Sequence, residues 1–79
     1  MEKSKGIKVY YTSVYVGNYE VSALGTSAAK CIDLLVKEYH RQFGSFRENG
    51  FKNRADWLEY HGVEEEGLQE IYIDSAWTR

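Results

Sequence analysis

Cys31, His40 and His61 are the chain's one thiol and two imidazoles, so nucleophilic or metal chemistry would have to start from them. A nucleophile needs a positioned base beside it. Cys31 and His40 are nine residues apart in one helical stretch, and at ~3.6 residues per turn that puts them on roughly opposite sides. Cys31 beside an apolar stripe reads as a small core residue. A structural zinc site takes four Cys or His ligands; three such residues without paired spacing predict no metal site. His61 falls at a predicted helix end, where a solvated imidazole is expected. Catalytic carboxylates need one dry and one wet environment, and Glu64, Glu65 and Glu66 before Gly67 read instead as an exposed turn. Calcium loops alternate their acids around a turn glycine, a spacing missing here. Gly17, Gly25 and Gly44 are isolated and make no phosphate loop. The expectation is a non-enzyme, with no catalytic residue and no cofactor.

Binding chemistry has more material. Tyr11 and Tyr15 share one predicted strand face, and Tyr supplies contact area at low entropic cost. With the acidic run Glu64, Glu65 and Glu66, which could steer a basic partner, they form the expected protein-binding set. The alternative is a nucleic-acid-binding domain using the stretch 41–57. There Arg41, Arg47, Lys52 and Arg54 interleave with Phe43, Phe46, Phe51 and Trp57, so that cations could hold phosphates while aromatics stack bases. A sequence pI of 5.6 weighs against it. Residues 1–54 carry nine Lys/Arg against five Asp/Glu, and residues 55–79 carry one against seven. That division suits one basic and one acidic face.

These residues need a scaffold. Lys5 to Val16 is rich in β-branched and aromatic residues and reads as a strand. Gly17-Asn18 is a two-residue hairpin turn, and Tyr19 to Leu24 returns. Val16 then faces Tyr19, Val14 faces Val21 and Thr12 faces Ala23. Tyr10, Thr12, Val14, Val16, Tyr19, Val21 and Ala23 share the inner face; Tyr11, Ser13, Tyr15, Glu20 and Ser22 share the outer. Ile7 and Val9 fall on the outer face, which requires either a bulge near Tyr10 or a cover on both faces. Thr26 or Ser27 caps a helix whose stripe is Ala28, Ile32, Leu35, Val36, Tyr39 and Phe43, ended by Gly44. Asp33 to Lys37 is a favourable i,i+4 pair on its other side. Asn53 caps a short helix over Arg54 to His61, ended by Gly62. Leu68 to Trp77 is a closing strand with Ile71 and Ile73 inward and Glu70, Tyr72 and Asp74 outward. The expected fold is one α+β domain over 1–79, β-β-α-α-β, a three-stranded antiparallel sheet of order 2-1-3 packed by one long and one short helix.

A chain of 79 residues buries only ~60% of its unfolded surface. Its twelve aromatic residues compensate, at ~150–250 Å² each. With one cysteine no internal disulfide forms, which favours a reducing, cytoplasmic setting. Met1 to Gly6 lacks the apolar segment of a signal peptide, and no apolar run approaches the ~20 residues of a membrane span.

The segment Tyr19 to Lys30, a short strand ending at a Thr/Ser cap before an alanine-rich helix start, resembles a module of small phage-encoded host-takeover proteins of the anti-CRISPR type. The resemblance covers those twelve of the 79 residues. It implies a non-catalytic inhibitor of phage or mobile-element origin, acting on a host defence protein or nucleoprotein complex. It transfers no functional residue, and a net charge of −2 is far from that of a DNA mimic. The expected state is a monomer or an edge-strand homodimer, with no membrane partner.

Overall fold

The computed structural model describes residues 7–73. It runs β1 (Ile7–Val16), β2 (Tyr19–Gly25), α1 (Ala28–Phe43), α2 (Arg54–His61) and β3 (Gln69–Ile73). The strands form one antiparallel sheet of order β2-β1-β3. This is the expected α+β arrangement, with one helix twice the length of the other. Asp74 and the remainder of the expected third strand lie outside the described residues.

Gly17 has φ 64 and, among the described residues, no non-glycine residue has positive φ. The hairpin turn is therefore of type II′, which needs glycine at its first central position only. Val16 pairs with Tyr19, Val14 with Val21 and Thr12 with Ala23, as the turn length requires. Pairing continues without interruption through Tyr10 and Tyr11, where β3 joins on the other side. No bulge switches the faces, so Ile7 and Val9 stay on the side of Tyr11 and Tyr15.

That register corrects one expectation. Ile71 pairs with Val9 rather than facing the helices, and Ile73 pairs with Ile7. The period of two is right, but its phase is set by Tyr11 meeting Gln69, which puts Ile71 beside Val9 on the far face. Glu70 and Tyr72 take the helix side instead, opposite Tyr10 and Lys8. There Lys8 pairs with Glu70 at 3.7 Å and lies over the Tyr10 ring.

Both helices pack on the other face. Val14 and Val21 from the sheet, Cys31, Ile32, Leu35, Val36 and Tyr39 from α1, Trp57 from α2, and Val63 and Leu68 form one buried cluster. Ser27 starts α1 by accepting a 3.1 Å hydrogen bond from the Lys30 amide, satisfying one orphan donor of the first turn. Cys31 is fully buried, and its thiol donates to the Ala23 carbonyl at 3.4 Å. Burial pushes this thiol's pKa up, as expected for an inert core cysteine. Asp33 bonds Arg54 at 2.8 Å rather than the expected Lys37; the i,i+4 partner yields to one brought from α2.

Two side-chain caps, the first of them reciprocal, organise the chain between the helices. The Ser45 amide donates to Glu48 Oε1 at 3.0 Å and the Glu48 amide to Ser45 Oγ at 3.2 Å, a capping box. The Asp56 amide donates to Asn53 Oδ1 at 2.9 Å, while Asp56 Oδ2 accepts from the Lys52 amide at 3.0 Å. At the end of α2 the Gly62 amide bonds the Glu59 carbonyl and the Val63 amide that of Leu58. This is a Schellman motif, and it turns Val63 into the core.

Candidate functional site

Tyr11 and Tyr15 point to the sheet face away from both helices, four residues or ~13 Å apart along β1. Their neighbours explain their different exposure. Tyr11 is flanked by Leu24 on β2 and Gln69 on β3 and is half-buried. Tyr15 lies beyond the reach of β3, has only Glu20 opposite it, and is 67% exposed. Ile7 and Leu24 share this face at 63% and 52% exposure, with Val9 and Ile71 between them in the pleat. Val9 is buried on this face at 8% exposure, so Ile7 is exposed at one end of β1 and Tyr15 at the other, with Leu24 opposite the half-buried Tyr11.

Glu64, Glu65 and Glu66 are all exposed, Glu64 just before and the other two within the 3-10 turn Glu65–Gly67 that leads into β3. Chain continuity sets their place: Gln69, three residues on, pairs with Tyr11. The acidic turn packs beside α1, on the helix side of the sheet, and is joined to the level of the first tyrosine only through Gln69.

The basic candidates are less free than their spacing suggests. Arg41 is held by the Glu38 carboxylate through Nε at 3.0 Å and through Nη2. The same contact, with Gln42 adding a second donor, lowers the Glu38 pKa to about 2. Arg54 is tied to Asp33. Arg47 and Lys52 are exposed in the connection. Two of the four cations therefore sit beside carboxylates, and Phe46 and Trp57 are packed against Tyr39 rather than displayed.

Two concavities escape a reading of side-chain types alone. One, of about 380 Å³, runs along β2 between Glu20, Ser22 and Leu24 and the flank of α1 formed by Leu34, Glu38 and Gln42. The i, i+4, i+8 spacing of those three helix residues is its only trace in the sequence. The other, of about 200 Å³, lies at the hairpin end and is lined by Tyr15, Tyr39, Asn49, Phe51, Tyr60 and His61 among others. His61 is not the solvated helix-end imidazole expected: it is half-buried against the Trp57 ring at 4.7 Å and the Tyr60 ring at 5.0 Å. Burial lowers its pKa, favouring the neutral form.

Among the described residues no group of three or more His, Cys, Asp or Glu could hold a metal ion, and no helix is long and apolar enough to cross a membrane. No protein-family model, curated protein or solved structure matches the chain.

Proposed function

We propose that this chain is a non-catalytic protein-binding module that docks a partner on the sheet face away from its helices. Tyr11 and Tyr15 are the contact anchors and Glu64, Glu65 and Glu66 the steering charges. The observation that carries this reading is the exposure of Ile7, Tyr15 and Leu24 on a face where neither helix packs. Large apolar side chains left exposed along one uncovered sheet face give a partner several points of contact. Within that class, the small α+β form and the strand-to-helix module at Tyr19 to Lys30 favour an inhibitor of phage or mobile-element origin. Its target would be a host defence protein or nucleoprotein complex in the cytoplasm. The test is affinity capture with Tyr11→Ala/Tyr15→Ala beside the wild type. Both side chains lie outside the core cluster, so the variant should unfold as cooperatively as the parent and lose the partner. Nucleic acid captured alone and released by moderate salt would favour Arg41, Arg47, Lys52 and Arg54 instead.

A further inference from the structure

The outer edge of β2 carries an unmet demand for hydrogen bonds. In a type II′ hairpin the residues flanking the turn, Val16 and Tyr19, exchange backbone bonds. Alternation then turns the backbone groups of Tyr19, Val21 and Ala23 toward β1, and those of Glu20, Ser22 and Leu24 outward. Among the described residues none bonds these outward groups. Nor is the edge blunted: β2 is seven residues long, without proline, lysine or an interruption in its pairing. Natural sheets protect an edge of this kind or use it.

The flank of α1 beside this edge identifies the occupant. Cys31 sits over Ala23 and Phe43 over Tyr19, so α1 runs antiparallel to β2 and Leu34 lies near the level of Ser22. Lys30, Leu34 and Glu38 are successive i,i+4 neighbours on that flank. Leu34 is 43% exposed, and Lys30 has no carboxylate partner among the described residues. Turned about a two-fold axis, the series Lys30-Leu34-Glu38 is its own complement. Leu34 meets Leu34, and each Lys30 meets the Glu38 of the other copy, whose carboxylate also accepts from Arg41 and Gln42 of its own chain. The spacing also suits such a contact. With β2 strands ~4.8 Å apart and each α1 set inward over the β1–β2 pair, the helices come to the ~8–10 Å of ordinary helix packing.

We infer that β2 pairs antiparallel with β2 of a second copy, centred on Ser22, giving a two-fold dimer with one continuous six-stranded sheet. The α1 flank of each copy fills the cleft of the other, and the interface is isologous. This goes beyond the protein-binding reading and does not depend on it. The dimer places two sets of Tyr11 and Tyr15 on a single surface.

The test is sedimentation of five samples: wild type, Lys30→Glu, Glu38→Lys, a mixture of those two variants, and Ser22→Pro. Circular dichroism checks that each variant folds. The wild type is expected to dimerise, and each reversal, by facing like charges, to raise the dissociation constant about tenfold or more. The mixture should recover the dimer, because every contact in the heterodimer is again between opposite charges. Ser22→Pro, which removes an outward N–H from an edge strand where proline is tolerated, should also yield monomer. A wild type that stays monomeric overturns the inference. So does a dimer indifferent to the charge reversals or to Ser22→Pro. An unrelated extended peptide that protects the Glu20, Ser22 and Leu24 amides while the chain stays monomeric would assign the edge to a foreign strand.

Discussion

Arg54, in the first turn of α2, reaches Asp33 on α1 with 2.8 Å between Nη2 and Oδ1. The bond ties the short helix to the long one outside the buried core and occupies a cation that would otherwise be available to phosphate. Both side chains are well exposed, at 45% and 62%, and exposed pairs contribute only ~0.2–1 kcal/mol. Arg54→Ala should therefore lower the free energy of unfolding by less than ~1 kcal/mol, and by less still at high salt. Urea unfolding in a double-mutant cycle with Asp33→Ala measures it; a loss several times larger would mean that the pair anchors α2.

Gly25 and Gly67 should respond oppositely to alanine. A Cβ on Gly25 would fall 2.5 Å from the Cys31 amide nitrogen, whereas nothing among the described residues lies within 4 Å of one on Gly67. The crowding at Gly25 is with helix backbone, which has no rotamer to yield. Gly25→Ala should cost at least ~1–3 kcal/mol, as overpacking does. Gly67→Ala should be neutral or stabilise by up to ~1 kcal/mol through the unfolded chain. Denaturation midpoints of the two variants decide between these outcomes.

The contrast between those glycines shows what was legible in the sequence. The hairpin, its register, both helix caps and the strand order follow from local chemistry: Gly17-Asn18, Ser27, Asn53 and the period-two and period-3.6 patterns. The phase of β3 does not, because Ile71 and Tyr72 alternate identically whichever faces the core. Pairing with β1 decides it. The same holds for Asp33, whose partner among several cations is chosen by where α2 docks. Tyr11 and Tyr15 could be assigned to one face by counting. The cleft beside β2 could not, since it is made by an edge and a helix flank whose separation is a tertiary quantity. Ser45-x-x-Glu48 was readable as a capping box, and it explains the ordered connection that the sequence presents only as small and charged residues.

His61 makes stability depend on pH. Its folded pKa lies below the ordinary 6.5 because burial disfavours the imidazolium. Above pH 6.5 both states are neutral and the contribution is complete. As pH falls through that value the unfolded chain takes the proton first, and stability is lost until the lower, native pKa is passed. Glu38, held to about 2 against an ordinary 4.5, acts in a separate and more acidic window. Urea midpoints from pH ~8 to ~5 should fall in the wild type. They should fall less in His61→Gln; equal slopes would show that the imidazole titrates normally.

Trp57 is fully buried, its Nε1 has no hydrogen-bond partner among the described residues, and its ring lies 4.8 Å from that of Tyr39. Removing an unpaired buried donor forfeits no hydrogen bond. Trp57→Phe should therefore lose packing alone, about 1–2 kcal/mol, while Trp57→Ala should lose about 3–5 kcal/mol. Chemical denaturation of both variants checks the ratio, and equal losses would point to a bonded indole.

Capture from cell lysate, treated with nuclease and washed in moderate salt, bears on the protein-binding surface itself when wild type and Tyr11→Ala/Tyr15→Ala are compared side by side. The expected result is a protein retained by the wild type after nuclease and lost by the double variant, whose unfolding remains cooperative. Equal retention by both chains would contradict the role of the two tyrosines. Nucleic acid alone, lost in salt, would contradict the protein-binding reading.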